Sequence, residues 1–165
     1  MKTLIRQASA ADFPSILEIY REGTADDRSY DYPCQDVSYQ ARKEWFEAHR
    51  GRFPILVYEH QNEILGFLSL NPFDSREFMQ HIAEASIYVK RSARGGGIGT
   101  ALWRYTFACA HRMGFKKIIA VCFPNNPALK LKQKMGFKII GTYQHHVHRG
   151  GGTYYDLHIL EKYLD

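Results

Sequence analysis

The chain has 165 residues, 45% of them apolar, with 22 Lys and Arg against 17 Asp and Glu. That length suits one domain, residues 1–165, whose core is large enough to need no covalent staples, and 11 Tyr and 10 Phe argue against disorder. The three Cys (Cys34, Cys109, Cys122) are odd in number and lack metal-site spacing, residues 118–123 form an apolar run far too short to span a membrane, and residues 1–10 lack a signal-peptide stretch. A cytoplasmic protein is expected.

Residues 4–8 read as a strand, after which Ser9 is suited to cap a helix with Ile16, Leu17, Ile19 and Tyr20 as its apolar stripe, ending at Gly23. Residues 24–35 are polar and aromatic without a period, a surface segment of the kind that carries function. A second helix is predicted from about Ser38 to His49, burying Trp45 and Phe46. Residues 53–59 and 63–70 then read as a β-hairpin joined by His60-Gln61-Asn62, followed by a loop over 73–81. Residues 85–89 form a strand and 98–113 a helix stopped by Gly114-Phe115. Residues 118–123 look like a buried interior strand, 127–135 a short helix ended by Gly136, and 137–143 and 153–160 two final strands separated by His-rich and Gly-rich residues. The order β-α-α-β-β-β-α-β-α-β-β describes one α/β domain around a mixed sheet.

The net charge of +5 hides a split. Residues 1–82 carry 9 basic and 13 acidic side chains, a net of −4, whereas residues 83–165 carry 13 basic and 4 acidic, a net of +9. No Asp or Glu occurs between Glu84 and Asp156. Such a stretch is either a solvated basic face or a surface that meets a polyanion.

The sharpest local feature, Val89-Lys90-Arg91-Ser92-Ala93-Arg94-Gly95-Gly96-Gly97-Ile98-Gly99-Thr100, joins a strand to a helix. Glycines let the backbone approach a ligand closely, and the first amides of the helix, backed by its dipole, suit a pyrophosphate. A tight structural turn is the alternative, but Arg91, Arg94 and the missing carboxylates favour phosphate. A P-loop would need Gly-x-x-x-x-Gly-Lys-Ser/Thr, which is absent. A dinucleotide fold would need Gly-x-Gly-x-x-Gly and an acid about 20 positions on, and both are missing.

The spacing Arg94-x-x-Gly97-x-Gly99 resembles the pyrophosphate-binding signature of the GNAT N-acetyltransferase superfamily. The segment Asn125-Asn126-Pro127-Ala128 through Gly136-Phe137 is similar to its second signature, Asn-x-x-Ser followed by a short helix and Gly-Phe. Within the superfamily, Glu84-Ala85-Ser86-Ile87-Tyr88-Val89 and the tail from Gly141-Thr142 to Tyr155-Asp156 resemble the phosphinothricin (methionine sulfoximine) acetyltransferase branch. The resemblance implies a GNAT-like, mostly antiparallel twisted sheet flanked by helices, and acetyl-CoA as cosubstrate.

It further implies that acetyl-CoA is held by Ile87, Tyr88, Val89, Arg94, Gly95, Gly96, Gly97, Ile98, Gly99, Thr100, Asn125 and Lys132. A backbone amide of residues 87–89 would polarise the thioester carbonyl. Glu84, the only carboxylate near this segment, is assigned as the base that takes the proton of the acceptor amine. Many relatives of this kind place a Tyr where this chain has Lys132, and a Ser where it has Ala128. The proton donor to the departing thiolate is therefore open between Lys132, Tyr88, Tyr143 or no dedicated group.

The acceptor pocket should draw on the acidic half: Asp26, Asp27 or Asp31 for an ammonium, Arg28 or Arg76 for a carboxylate, Tyr30, Tyr32 and Phe73 for walls. The expected reaction is direct transfer to a small amine such as an amino acid or its analogue. No Cys lies near the glycine turn in sequence, which disfavours a cysteine relay. A peptide or protein amino-terminal acetyltransferase and an inactive CoA-binding regulatory module are the rivals. His145-His146-Val147-His148 lacks accompanying Cys or carboxylates, so no metal is expected. Neither a nucleic-acid motif nor a membrane segment is present in the sequence, and residues 149–152 read as a hairpin tip suited to a homodimer interface.

Overall fold

A computed structural model describes residues 3–25, 38–148 and 151–164. The elements follow the expected order: β1 (Thr3–Gln7), α1 (Phe13–Thr24), α2 (Tyr39–Ala48), β2 (Ile55–His60), β3 (Glu63–Pro72), β4 (Ile82–Val89), α3 (Ile98–Arg112), β5 (Lys117–Cys122), α4 (Ala128–Lys134), β6 (Lys138–His148) and β7 (Tyr154–Tyr163). The seven strands form one sheet in the order β1-β2-β3-β4-β5-β7-β6. Only β4 and β5 are parallel, and α3 makes the crossover between them.

Both faces of the sheet are covered, which is why β2, β3 and β5 read as nearly unbroken apolar runs. On one face Ile16, Ile19 and Tyr20 of α1 pack with Val57 and Phe67, and Trp45 and Phe46 of α2 join them. On the other, Leu102, Trp103 and Ala110 of α3 pack on Leu68, Leu70, Ile118 and Ala120. Along β4, Ala83 and Ala85 belong to the α3 side, so alternation turns Glu84, Ser86 and Tyr88 toward α1 and α2. The Arg6 guanidinium ties β1 to β2 and to the start of α1, bonding Glu59 and Asp12, and holds the Asp12 carboxyl below its usual range.

Several boundaries differ from the sequence reading, and three of the differences matter for the site or for the His cluster. His60 belongs to β2, and the hairpin closes on Gln61 and Asn62 alone, both with positive φ (51° and 64°), as a tight two-residue turn requires. Strand β4 begins at Ile82 rather than Ala85, because residues 82–84 pair with residues 117–119 of β5. Glu84 thus lies inside the strand and not at its entrance. Strand β6 runs on through His148, so the His cluster is part of the strand and not a connection. It is an edge strand, where polar residues meet solvent at no cost. Its pairing is irregular between Tyr143 and Val147, where His145 takes φ 50° and its amide donates to Asp156 Oδ1 at 2.8 Å.

Candidate active site

The glycine turn is tied down from both sides. Lys90 donates its amide to Leu65 O at 2.9 Å and its ammonium to Glu63 at 2.7 Å. The Arg91 amide donates to a carboxylate oxygen of Glu22 on α1, and Arg94 Nε donates back to Val89 O at 3.1 Å. Gly95 and Gly97 have φ of +82° and +84°, and a Cβ at either would enter open space. Gly97 is the N-cap of α3 and no side chain caps the helix, so its first amides are left to a ligand. Such a turn can serve as a backbone cradle for an anion.

Below the cradle the sheet forks. β4 pairs with β3 from Ala83 to Val89, but with β5 only from Ile82 to Glu84. Among the described residues, no strand pairs with residues 85–89 on the edge turned away from β3. The gap is a cleft of about 560 Å³. One wall is residues 85–89 with Ala93, Arg94, Gly95 and Gly97–Thr100; the other is Val121, Cys122, Asn126–Ala128, Leu131, Lys132 and Lys134. Arg94, Lys132 and Lys134 give it positive charge, and none of the described residues lining it is a carboxylate.

An open strand edge running from an anion cradle to a buried ammonium suits a long, flexible ligand with phosphates at one end. A model of the Acetyltransferase (GNAT) family matches residues 13–137. The chain belongs to the GNAT acetyltransferase family. It is 30% identical to an L-methionine sulfoximine/L-methionine sulfone acetyltransferase of Pseudomonas aeruginosa, over 100% of this chain and 96% of that one. Its fold matches an N-acetyltransferase from Staphylococcus aureus Mu50 (TM-score 0.89, 32% identity, 100% of both chains). It also matches a GNAT phosphinothricin acetyltransferase from Sinorhizobium meliloti solved with acetyl-CoA (TM-score 0.82, 27% identity, 99% of this chain and 89% of that one). The protein is an N-acetyltransferase that uses acetyl-CoA.

In this GNAT protein most of the residues expected at the cofactor line the one cleft: Ile87, Tyr88, Val89, Arg94, Gly95, Gly97, Ile98, Gly99, Thr100 and Lys132. Gly96 and Asn125 do not. Asn126, next to Asn125, does line it, and its Oδ1 accepts from the Ala128 amide at 2.8 Å to start α4. Close packing shapes the walls: a Cβ on Gly99 would lie 2.7 Å from Leu131 Cδ2, and one on Gly23 would lie 2.6 Å from the Tyr88 ring.

Lys132 is 6% exposed and is hydrogen-bonded to the Cys122 thiol. Burial lowers the Lys132 pKa, with Cys122 opposing, and burial raises the Cys122 pKa, with Lys132 opposing. The expectation that no Cys lies near the cofactor is corrected here. Cys122 is distant from the turn in sequence, but the fork sets the end of β5 opposite it across the cleft. Tyr143, a candidate proton donor, lies on edge strand β6, 49% exposed and stacked on His146 at 4.4 Å, outside the cleft lining.

Glu84 is the last β4 residue paired with β5, so it marks the vertex of the fork. Asn71 is its cross-strand partner on β3, and Ser69 faces Ser86 two residues along, on the same face. His49, the C-cap of α2, donates Nδ1–H to Trp45 O at 2.7 Å and sets Nε2 2.8 Å from Asn71 Oδ1. These polar neighbours escaped the sequence reading. The register of β3 against β4 brings Asn71, Ser69 and Ser86 beside Glu84, and their place on otherwise apolar strands was a signal, whereas His49 arrives only through the packing of α2 on β3. Phe73 and Arg76 follow β3 in its loop, with the Arg76 guanidinium engaged by Asp74 at 2.8 and 2.6 Å, and neither lines the cleft. Arg28, Tyr30, Tyr32, Asp26, Asp27, Asp31 and Cys34 lie outside the described residues. No group of three or more His, Cys, Asp or Glu among the described residues could hold a metal.

Proposed function

We propose that the enzyme acetylates the amino group of a small amino-acid-like acceptor, of the methionine sulfoximine or phosphinothricin type, by direct attack on the thioester with no acyl-enzyme. The observation that carries this reading is the fork, with an anion cradle above it and a carboxylate at its vertex. The cradle amides and Arg94 would hold the pyrophosphate, and the edge of residues 85–89 turned away from β3 would pair with the amides of the pantetheine arm as an added strand does. A main-chain N–H of residues 87–89 would steady the thioester carbonyl.

Glu84 serves as the base, directly or through a water, on the acceptor side of β4 where Asn71, Ser69 and Ser86 supply polar contacts. Support for the acceptor comes from the likeness to methionine sulfoximine and phosphinothricin acetyltransferases over nearly the whole chain. The test is thiol release from acetyl-CoA over a panel of methionine sulfone, phosphinothricin, polyamines, aminoglycosides and peptides. Turnover with the first two and little with the others is expected; preference for peptides would favour amino-terminal acetylation of proteins. No release with any acceptor, together with no thermal stabilisation by CoA, would sink the reading.

We also infer a cytoplasmic homodimer. Edge strand β6 leaves Ile139, Ile140 and Tyr143 at 40–53% exposure, and Tyr154 beside it at 54%. A run of apolar groups on an uncovered edge is ordinarily paired. Sedimentation equilibrium should give twice the 19.1 kDa chain mass, and a monomer at micromolar concentration would refute the dimer.

A further inference from the structure

The cleft contains one group that neither the cradle nor the acceptor side uses. Lys132 projects from α4 into the wall across from β4, 6% exposed, and the hydrogen-bond partner described for it is a sulfur. A buried ammonium is costly without a compensating anion, and none of the described residues lining this cleft is a carboxylate. The charged or titratable groups sharing the lining with it are Cys122 on β5, Tyr88 on β4, Arg94 in the turn and Lys134 on its own helix. A cation so placed waits for an anion that arrives with the ligand. The contact with Cys122 further shows that the pocket around the ammonium accommodates sulfur.

The geometry points to Lys132 as the proton donor to the sulfur that leaves during acetyl transfer, with Cys122 holding the ammonium in position until then. The inference rests on the acetyl-transfer reading of the cleft. In the step, the acceptor nitrogen forms its bond to the acetyl carbon and the carbon–sulfur bond breaks with its electron pair on sulfur. A proton passes from Lys132 Nζ to that sulfur, leaving CoA as the thiol and Lys132 as a neutral amine. The acceptor's proton goes to Glu84, and solvent returns one to Lys132. The lowered Lys132 pKa brings the donor closer to the thiol it serves.

Three measurements test this. With saturating amine, K132M should lose about 10- to 100-fold in kcat with little change in KM for acetyl-CoA, at the low end of acid catalysis because a thiolate leaves easily. The wild-type kcat should fall at alkaline pH as Lys132 loses its proton. K132R should retain part of the activity and move that limb upward, while C122A and Y88F keep a limb. The third readout needs no turnover and no variant. Wild-type protein should bind CoA more tightly than desulfo-CoA, by a margin that grows as the CoA thiol ionises, and K132M should erase the margin. Equal weakening of both ligands in K132M would make Lys132 a phosphate contact and overturn the inference. So would wild-type kcat in K132M, or loss of turnover in C122A with K132M active, which would indicate a thiol relay. Thermal stabilisation of the wild-type protein by CoA separately tests the cofactor site, so failure of the inference is distinguishable from failure of the reading beneath it.

Discussion

Glu84→Gln is expected to lower kcat by about 100-fold or more while leaving CoA-dependent thermal stabilisation intact. The substitution keeps the size and one hydrogen-bonding oxygen of the side chain but removes its capacity to take a proton. Glu84 lies on the face of β4 that carries Ser86 and Tyr88, opposite Asn71, and is not part of the cleft lining. A change there should therefore spare cofactor affinity. The split between chemistry and binding is the informative result. Full turnover in the Gln variant would remove Glu84 from the mechanism, and loss of CoA stabilisation would assign it to cofactor binding instead. Supplying the acceptor at high pH should recover part of the activity, because solvent then provides amine that is already deprotonated.

The second large effect is expected at Gly97. Gly97→Ala places a methyl group in open space at the mouth of the cleft, on a residue with φ +84° at the N-cap of α3. Two costs are combined there: backbone strain of about 1–2 kcal/mol and obstruction of the anion cradle. The other end of the same helix separates them. Gly114 has φ +86°, and a Cβ there would also meet nothing within 4 Å. Gly97→Ala and Gly114→Ala should thus lower the melting temperature of the free protein similarly. Only the first should weaken CoA binding, by at least tenfold in calorimetry. Equal CoA affinities for the two variants would show that the cradle does not hold the ligand.

The parts of the site that could be read from the chain are those whose chemistry is local. The glycine turn announces itself because left-handed φ and an uncapped helix start are demands of consecutive residues. Glu84 draws attention in the chain as the last acid before a long stretch without any, but its position at the vertex of the fork depends on the pairing of β4 with β5. The eleven elements were legible because their periods are those of residues packed on one or two faces.

What stayed hidden depends on register and crossover. Cys122 and Lys132 belong to different elements, and their meeting in the cleft requires β5 to part from β4 after Ile119. The His49–Asn71 contact joins α2 to β3, and nothing in either segment alone announces it. The His cluster resembled a loop because its polarity suits solvent, which an edge strand also meets. Which of the adjacent Asn125 and Asn126 lines the cleft was equally unreadable, because only the start of α4 distinguishes them.

The parting of β4 from β5 has a consequence for the life of the protein as well as for its chemistry. From Ala85 onward, among the described residues, a central strand pairs with β3 alone, and the proposed pantetheine arm would lie along its other edge. A ligand that completes a fold is also a stabiliser of it: at a hundredfold excess over its Kd it adds about 2.7 kcal/mol against unfolding. Resistance to heat and to proteolysis should then rise and fall with the supply of CoA thioesters, making the abundance of the enzyme responsive to the metabolite it consumes.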